Sequence, residues 1–180
     1  MILIIGGGIA GLSLAWQLAR RGEPATLLEQ NTIASGASQA AGSYIEPRLG
    51  TGAMRRLEWH AVQGWRAFAM EVEADSGLSI DFRRNGQIRI AYEENLDSVL
   101  ADFQARREEG WATEWLEGTQ LQRLEKQLSD TVVAGAYLPD ICWCDARRLC
   151  SALAAAINNR GGTVIEEGKV ASFKQSGAAV

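Results

Sequence analysis

The sequence predicts an α/β chain in which a Rossmann-like nucleotide-binding domain is interrupted by part of an antiparallel α+β domain. Three observations predict it. An apolar strand runs straight into a glycine-rich turn at the start of the chain. A second strand ends on an acid. The middle then fills with antiparallel-type strands rather than further βα units.

Ile2 to Ile5 are four consecutive apolar residues, the pattern of a parallel strand covered on both faces. Gly6-x-Gly8-x-x-Gly11 follows with no spacer, and Leu12, Leu14, Ala15, Leu18 and Ala19 open a helical pattern. Gly6 permits the tight turn, Gly8 lets backbone approach a diphosphate, and Gly11 lets the helix pack closely on the strand. Ile9 and Ala10 lie between these glycines, where unpaired amides and the positive end of the helix dipole would meet the anion. Gly22 ends the helix, and Ala25 to Glu29 reads as a strand finishing on a carboxylate eighteen residues beyond Gly11. An acid at that distance suits ribose hydroxyls, and favours an unphosphorylated adenosine ribose, FAD or NAD over NADP.

After Glu29 the stretch from Ala34 to Tyr44 is mostly Ala, Gly and Ser, too small to fill a core but suited to close approach to a flat ligand. Ser35 and Ser38 add hydroxyls for a phosphate. A long helix is expected from about Thr51 to Ser76, with Leu57, Ala61, Val62, Trp65, Phe68, Ala69 and Val72 inward and Gly77 as its stop. Leu78 to Phe82 and Gly86 to Tyr92 read as a hairpin turning at Asn85-Gly86. Leu96 to Glu109 is an amphipathic helix, Thr113 to Leu116 a short strand, and Thr119 opens a helix with Leu121, Leu124 and Leu128 inward. Val132 to Leu138 is a strand. Asp145 caps a helix from Arg147 to Asn159, which Gly161-Gly162 closes, and Thr163 to Ile165 and Lys169 to Phe173 are two last strands. The order places a discontinuous nucleotide domain at 1–78 and 142–180, with a partial second domain at 79–141.

A formal charge of −4 and scattered arginine pairs argue against a basic nucleic-acid face. No apolar run is long enough to span a bilayer, and the N-terminal apolar stretch lacks the basic flank of a signal peptide. Cys142, Cys144 and Cys150, an odd count, fit a reducing compartment and a cytoplasmic protein. Their spacing suits neither a zinc knuckle nor a CxxC pair, so no metal site is expected. His60, the single histidine, is expected to pack or to face solvent.

Four segments carry a resemblance along the whole chain: Ile4-Ile5-Gly6-Gly7-Gly8-Ile9-Ala10-Gly11, Ala37-Ser38-Gln39-Ala40-Ala41-Gly42, Asp81-Phe82-Arg83-Arg84-Asn85-Gly86, and Cys144-Asp145-Ala146-Arg147-Arg148-Leu149. In these the chain resembles the N-terminal half of the D-amino-acid oxidase superfamily of FAD-dependent oxidoreductases, above all its glycine oxidases of thiamine biosynthesis. The resemblance implies an FAD-binding Rossmann-like domain and a partial substrate domain. Gly6, Gly8 and Gly11 would hold the FAD pyrophosphate, and Glu29 with Gln30 would meet the adenosine ribose. Ser38 would face phosphate, and Ala40, Ala41, Gly42 and Ser43 would lay backbone amides along the isoalloxazine. Val170 matches a residue whose backbone contacts adenine. The family usually has a hydrophobic residue where Ser43 stands, and the chain departs further in Tyr44-Ile45-Glu46-Pro47.

The implied activity is oxidation of glycine or another small amine or amino acid by hydride transfer to flavin, in a protein that continues about as long again. The substrate-binding residues are then expected beyond Val180, and no catalytic residue is assigned within the chain. A homo-oligomer is a further expectation for the full-length protein. Two related readings are a D-amino-acid dehydrogenase delivering electrons to a quinone and the flavin domain of a tRNA-modifying oxidoreductase. A third, of a different class, is a non-catalytic nucleotide-binding module.

Overall fold

The computed structural model describes residues 1–47, 52–172 and 174. Its elements run β1 (Ile2–Ile5), α1 (Ile9–Arg20), β2 (Ala25–Leu28), β3 (Tyr44–Ile45), α2 (Ala53–Ser76), β4 (Gln87–Ala91), α3 (Leu96–Glu108), β5 (Glu114–Glu117), α4 (Gly118–Leu124), β6 (Ala134–Leu138), β7 (Cys142–Trp143), α5 (Ala146–Asn159) and β8 (Thr163–Ile165). The chain divides into two units, one of Met1–Ser43, Trp65–Phe82 and Cys144–Val180, the other of Tyr44–Gly64 and Arg83–Trp143.

The first unit is built on a parallel sheet in the order β1-β2-β8, with Ile4 beside Leu27 and Leu27 beside Val164. Ile4, Ala25 and Leu27 are buried, as are Leu12, Ala15 and Trp16 of α1 and Leu149, Leu153 and Ile157 of α5, so the core lies on one face of the sheet. Strand side chains alternate between faces, and the other face is open: Leu3 is 50% and Ile5 59% exposed. The expectation of a strand covered on both faces is therefore corrected. Helices α1 and α5 pack against one another, and β1 is an edge of this sheet.

The loss of entropy in ordering α2 is offset at its C-terminal end by a polar junction. Asp75 accepts from the fully buried Trp16 indole at 2.9 Å and from both Nε and Nη2 of Arg160, at 2.7 and 2.5 Å. The Arg160 fork, followed by the Trp16 bond, holds the Asp75 carboxyl below its ordinary value against the opposing effect of burial. Asp145 caps α5 by accepting the amides of Arg147 and Arg148 at 2.9 and 3.0 Å, as its position ahead of the helical run predicts.

The second unit carries an antiparallel sheet ordered β4-β6-β5, with both Ile90 and Leu116 opposite Gly135. A Cβ on Gly135 would come within 2.9 Å of Ile88 and 3.1 Å of Leu121, so a glycine is what lets α4 lie close to the sheet. Trp111, Leu138 and Ile141 form a core cluster with Trp59 against it. Arg106 is only 3% exposed. Its guanidinium meets Glu46 and Asp102 at 2.8 Å each and lies 4.6 Å from the centre of the Trp111 ring.

Four sequence expectations change here. The Leu78–Phe82 and Gly86–Tyr92 hairpin does not form: β4 pairs with β6 instead, along Gln87↔Leu138 to Ala91↔Ala134. The preceding segment spends its backbone groups elsewhere. The Ile80 amide donates to Glu73 at 2.9 Å, the Ile80 carbonyl accepts from Asp145, and Arg83 bridges Trp143. Asn85-Gly86 makes no turn either: Arg83 pairs with Trp143, the Gly86 amide donates to Ile141 O at 3.2 Å and Gln87 pairs with Leu138. The chain therefore runs on beside one antiparallel partner, with Gly86 at φ +76° and the Tyr137 ring filling the place of its absent Cβ. In the long helix Ala69 and Val72 are buried, but Leu57 is 62% exposed and Ala61 is exposed; Thr51 lies outside the described residues. In α4 Leu121 is buried, but Leu124 is exposed and the helix stops there, before Leu128. Lys169 to Ser172 form no strand, and Phe173 lies outside the described residues.

Candidate cofactor site

The carboxyl ends of β1, β2 and β8 lie side by side, and the segments leaving them are bonded to one another. The Gly6 amide donates to Leu28 O at 2.8 Å, Glu29 N to Ile165 O at 2.9 Å, and Gly168 N to Glu29 O at 2.8 Å. The crevice at the carboxyl ends of parallel strands is where open α/β sheets bind ligands.

The glycine turn is as tight as its spacing requires. Gly6 has φ +109°, a region that L side chains rarely adopt. A Cβ on Gly11 would lie 2.0 Å from the Gly6 carbonyl oxygen, so the first turn of α1 rests directly on the glycine turn. A Cβ on Gly8 would lie 3.3 Å from Ser38 Oγ. Helix α1 begins with Gly8 as N-cap, no acidic side chain in its first turn, and no side-chain cap on that residue. The amides of Ala10 and Gly11 have no helical carbonyl ahead of them and are available to an anion.

Glu29 stands one residue beyond β2. Its Oε2 accepts the Gly7 amide at 2.7 Å and its Oε1 accepts the Asn31 amide at 2.9 Å. These bonds, Asn31 first and then Gly7, hold the carboxyl below its ordinary value of 4.5 and outweigh the upward push of burial. Glu29 is therefore a carboxylate at neutral pH, able to accept from hydroxyl groups. Gln30 beside it is exposed.

Ser38 accepts the Ile9 amide on its Oγ at 3.0 Å, which brings the small-residue loop to the N-terminus of α1. Burial pushes the Cys150 thiol up, and Ser38 beside it acts in the opposite direction. Cys144 is pushed up to about 11 by burial, with Asp145 and Cys150 adding to the shift. All three cysteines are free and buried, so they are packing groups rather than nucleophiles.

Ala40, Ala41 and Gly42 are exposed in the loop that leads to Ser43, which has φ +64° and whose carbonyl accepts the Cys144 amide at 3.4 Å. Val170 lines a 420 Å³ hollow with Ile5, Ala171 and Ser172. The structure thus brings Gly6, Gly8, Ile9, Gly11, Glu29 and Ser38 together through direct contacts. It shows no hydrogen bond between Ala40, Ala41 or Gly42 and the glycine turn.

Sequence reasoning missed three participants. Gly7, passed over as the middle of three glycines, supplies the amide that Glu29 holds, and a Cβ there would lie 2.9 Å from Glu29 Cβ. Cys150 of α5 is buried beside Ser38. Glu166 accepts the Ile33 amide at 2.7 Å. The signal for Glu166 was present in the pattern: Leu28 and Ile165 are partners in register, so Glu29 and Glu166 occupy matching positions just past neighbouring strands.

These residues fit an FAD. The glycine cradle has no room for a Cβ at Gly7 or Gly11 and takes a left-handed φ at Gly6, free amides stand at the helix start, and an ionised acid follows the second strand. The chain is 33% identical over 141 residues to a 4-methylaminobutanoate oxidase (formaldehyde-forming) of Paenarthrobacter nicotinovorans, covering 77% of this chain and 17% of that protein. It is 29% identical over 170 residues to glycine oxidase of Geobacillus kaustophilus, covering 92% and 45%. Among solved structures, glycine oxidase of Bacillus cereus superposes with a TM-score of 0.91 at 26% identity, covering 97% of this chain and 49% of that one. The chain therefore spans less than half the length of these relatives. The family described as FAD dependent oxidoreductase matches residues 1–180, and the chain belongs to it.

Proposed function

We propose that this chain is the FAD-binding portion, with part of the substrate domain, of an enzyme that oxidises glycine or another small amine or amino acid. The observation that carries the reading is the joining of the Glu29 carboxylate to the Gly7 amide at the end of a parallel strand, in a chain whose family match runs its full length. Gly6, Gly8 and Gly11 leave space for the diphosphate, and the amides of Ala10 and Gly11 are available to it, while the Ile9 amide is held by Ser38. Glu29, with Gln30 beside it, accepts from the adenosine ribose. Ser38 orders the phosphate side of the loop, and the backbone of Ala40, Ala41, Gly42 and Ser43 runs along the flavin ring. Val170 closes the adenine end.

Bound FAD supplies the two-electron acceptor, and the protein's part is to hold it, aim it and exclude competing reactions. The likeness to 4-methylaminobutanoate oxidase supports a second reading of the substrate, an N-methylated amine in place of glycine.

The test is the visible spectrum of the full-length protein, followed by peroxide release with glycine, sarcosine, D-amino acids and 4-methylaminobutanoate. Flavin absorbance with turnover of one of these is expected. A colourless protein that binds NAD would overturn the flavin assignment. Bleaching by an amine without peroxide would move the reading to a dehydrogenase.

A further inference from the structure

Two carboxylates stand just past neighbouring strands at the end of the sheet where the anionic cofactor is expected, and only one of them has a use in holding it. Glu166 follows β8 as Glu29 follows β2. A negative charge near a dianion weakens its binding, so Glu166 costs affinity unless it contributes something else. Its Oε1 accepts the Ile33 amide at 2.7 Å across 133 residues of sequence. Around that bond, the Glu167 amide donates to Asn31 O at 2.9 Å, and the Ala34 amide donates to Gly7 O at 2.9 Å. Ala34 is buried with φ +61°, an unfavourable conformation for a residue bearing a Cβ. The segment from Asn31 to Ala34 therefore leaves the strand end by a strained path, fastened to the glycine turn on one side and to the end of β8 on the other.

We propose that Glu166 is a positioning residue for the cofactor's ADP half. It holds the Ile33 amide so that Asn31 stays on Glu29 and Ala34 on Gly7, and so fixes the ribose-binding carboxylate against the glycine turn. The proposal rests on the FAD reading of this site but not on the choice of substrate.

The proposal gives opposite signs to charge and reach. In full-length apoprotein, Glu166→Gln removes the charge but keeps an oxygen able to accept from Ile33. Glu166→Asp keeps the charge but shortens the reach by one methylene. The dissociation constant of FAD, read by flavin fluorescence, is expected to rise about tenfold in E166D, the value of one charge-assisted hydrogen bond. In E166Q it is expected to stay within about threefold of wild type. AMP competition should weaken in parallel, since AMP reports the ADP half alone, and amide exchange at Ile33 should speed up in E166D apoprotein but not in E166Q. Tighter FAD binding in E166Q with unchanged binding in E166D would overturn the proposal and leave Glu166 a bystanding charge. Absence of glycine oxidation in a wild-type protein that binds FAD would overturn the substrate reading alone.

Discussion

The Glu29 carboxylate holds the Gly7 amide at 2.7 Å, joining the acid that ends β2 to the turn that follows β1. Because Glu29 also takes the Asn31 amide, its folded pKa lies below the ordinary 4.5. A depressed carboxyl contributes stability that is fully present above the unfolded value and is lost as pH falls through the folded one. Melting temperature should therefore fall as pH drops from about 4.5 through the depressed value, and Glu29→Gln should flatten that fall. At neutral pH, Glu29→Ala should cost about 1–2 kcal/mol, a modest figure because the group is partly solvated. Thermal melts of both variants against pH check this, and an unchanged pH profile in E29Q would remove Glu29 from the account.

The Gly11 contact separates steric necessity from glycine content. Its absent Cβ would meet the Gly6 carbonyl at 2.0 Å, whereas a Cβ on Gly64 in α2 meets nothing within 4 Å. Gly11→Ala should destabilise by about 3 kcal/mol, through forced backbone movement, and weaken FAD binding. Gly64→Ala should stabilise by about 0.5–1 kcal/mol, the helix-propensity gain. Denaturant melts read both, and two effects of the same sign would contradict the packing described here.

Much of this site was legible because the nucleotide turn is local: strand, glycines, helix and second strand follow within 29 residues, with Gly6 at a left-handed φ and Gly11 resting on the Gly6 carbonyl. The same locality made the α5 cap readable from Asp145. What sequence could not give were pairings set at long range. Asn85-Gly86 read locally as a hairpin turn, but the chain runs on there and β4 found β6 as its partner, because Glu73, Asp145 and Trp143 already occupied the backbone of Ile80 and Arg83. The two-residue pair β3–β7 is too short to show a periodicity, and Glu166 acts on a residue 133 positions away.

Asp75 is a single acceptor shared by three elements, so its loss should exceed that of a surface ion pair. Asp75→Ala would leave the buried Trp16 indole without its acceptor and free Arg160. A cost of about 2–3 kcal/mol is expected from the unsatisfied indole and the lost charged bonds. Trp16→Phe, which removes the donor together with the need for it, should soften the effect of Asp75→Ala in a double-mutant cycle. A cost below about 0.5 kcal/mol would reduce the junction to ordinary surface pairing.

Arg106 tests the second unit. Its guanidinium is almost wholly buried between Glu46 and Asp102 and over the Trp111 ring. Removing one member of a buried charge group leaves the others uncompensated, so Arg106→Ala should cost about 3–5 kcal/mol. Arg106→Lys keeps the charge but not the planar fork that reaches both acids, and should recover only part of that loss. Urea melts of the two variants against Arg107→Ala, a neighbour on the exposed side of α3, decide whether the effect belongs to burial or to helix charge.

The open face of the parallel sheet makes a prediction about the isolated 180-residue chain. Register places Ile5, Leu28 and Ile165 in one row, with Ile5 59% and Ile165 41% exposed, and Leu3 stands on the same face of the edge strand β1. An apolar face that ends on an unpaired strand edge is a template for association. The chain expressed alone should therefore self-associate as its concentration rises. Leu3→Thr with Ile5→Thr should shift it toward monomer, since threonine keeps strand propensity while removing apolar surface. Light scattering with size-exclusion chromatography measures this, and a wild-type chain that stays monomeric across the range would show that the face tolerates water unaided.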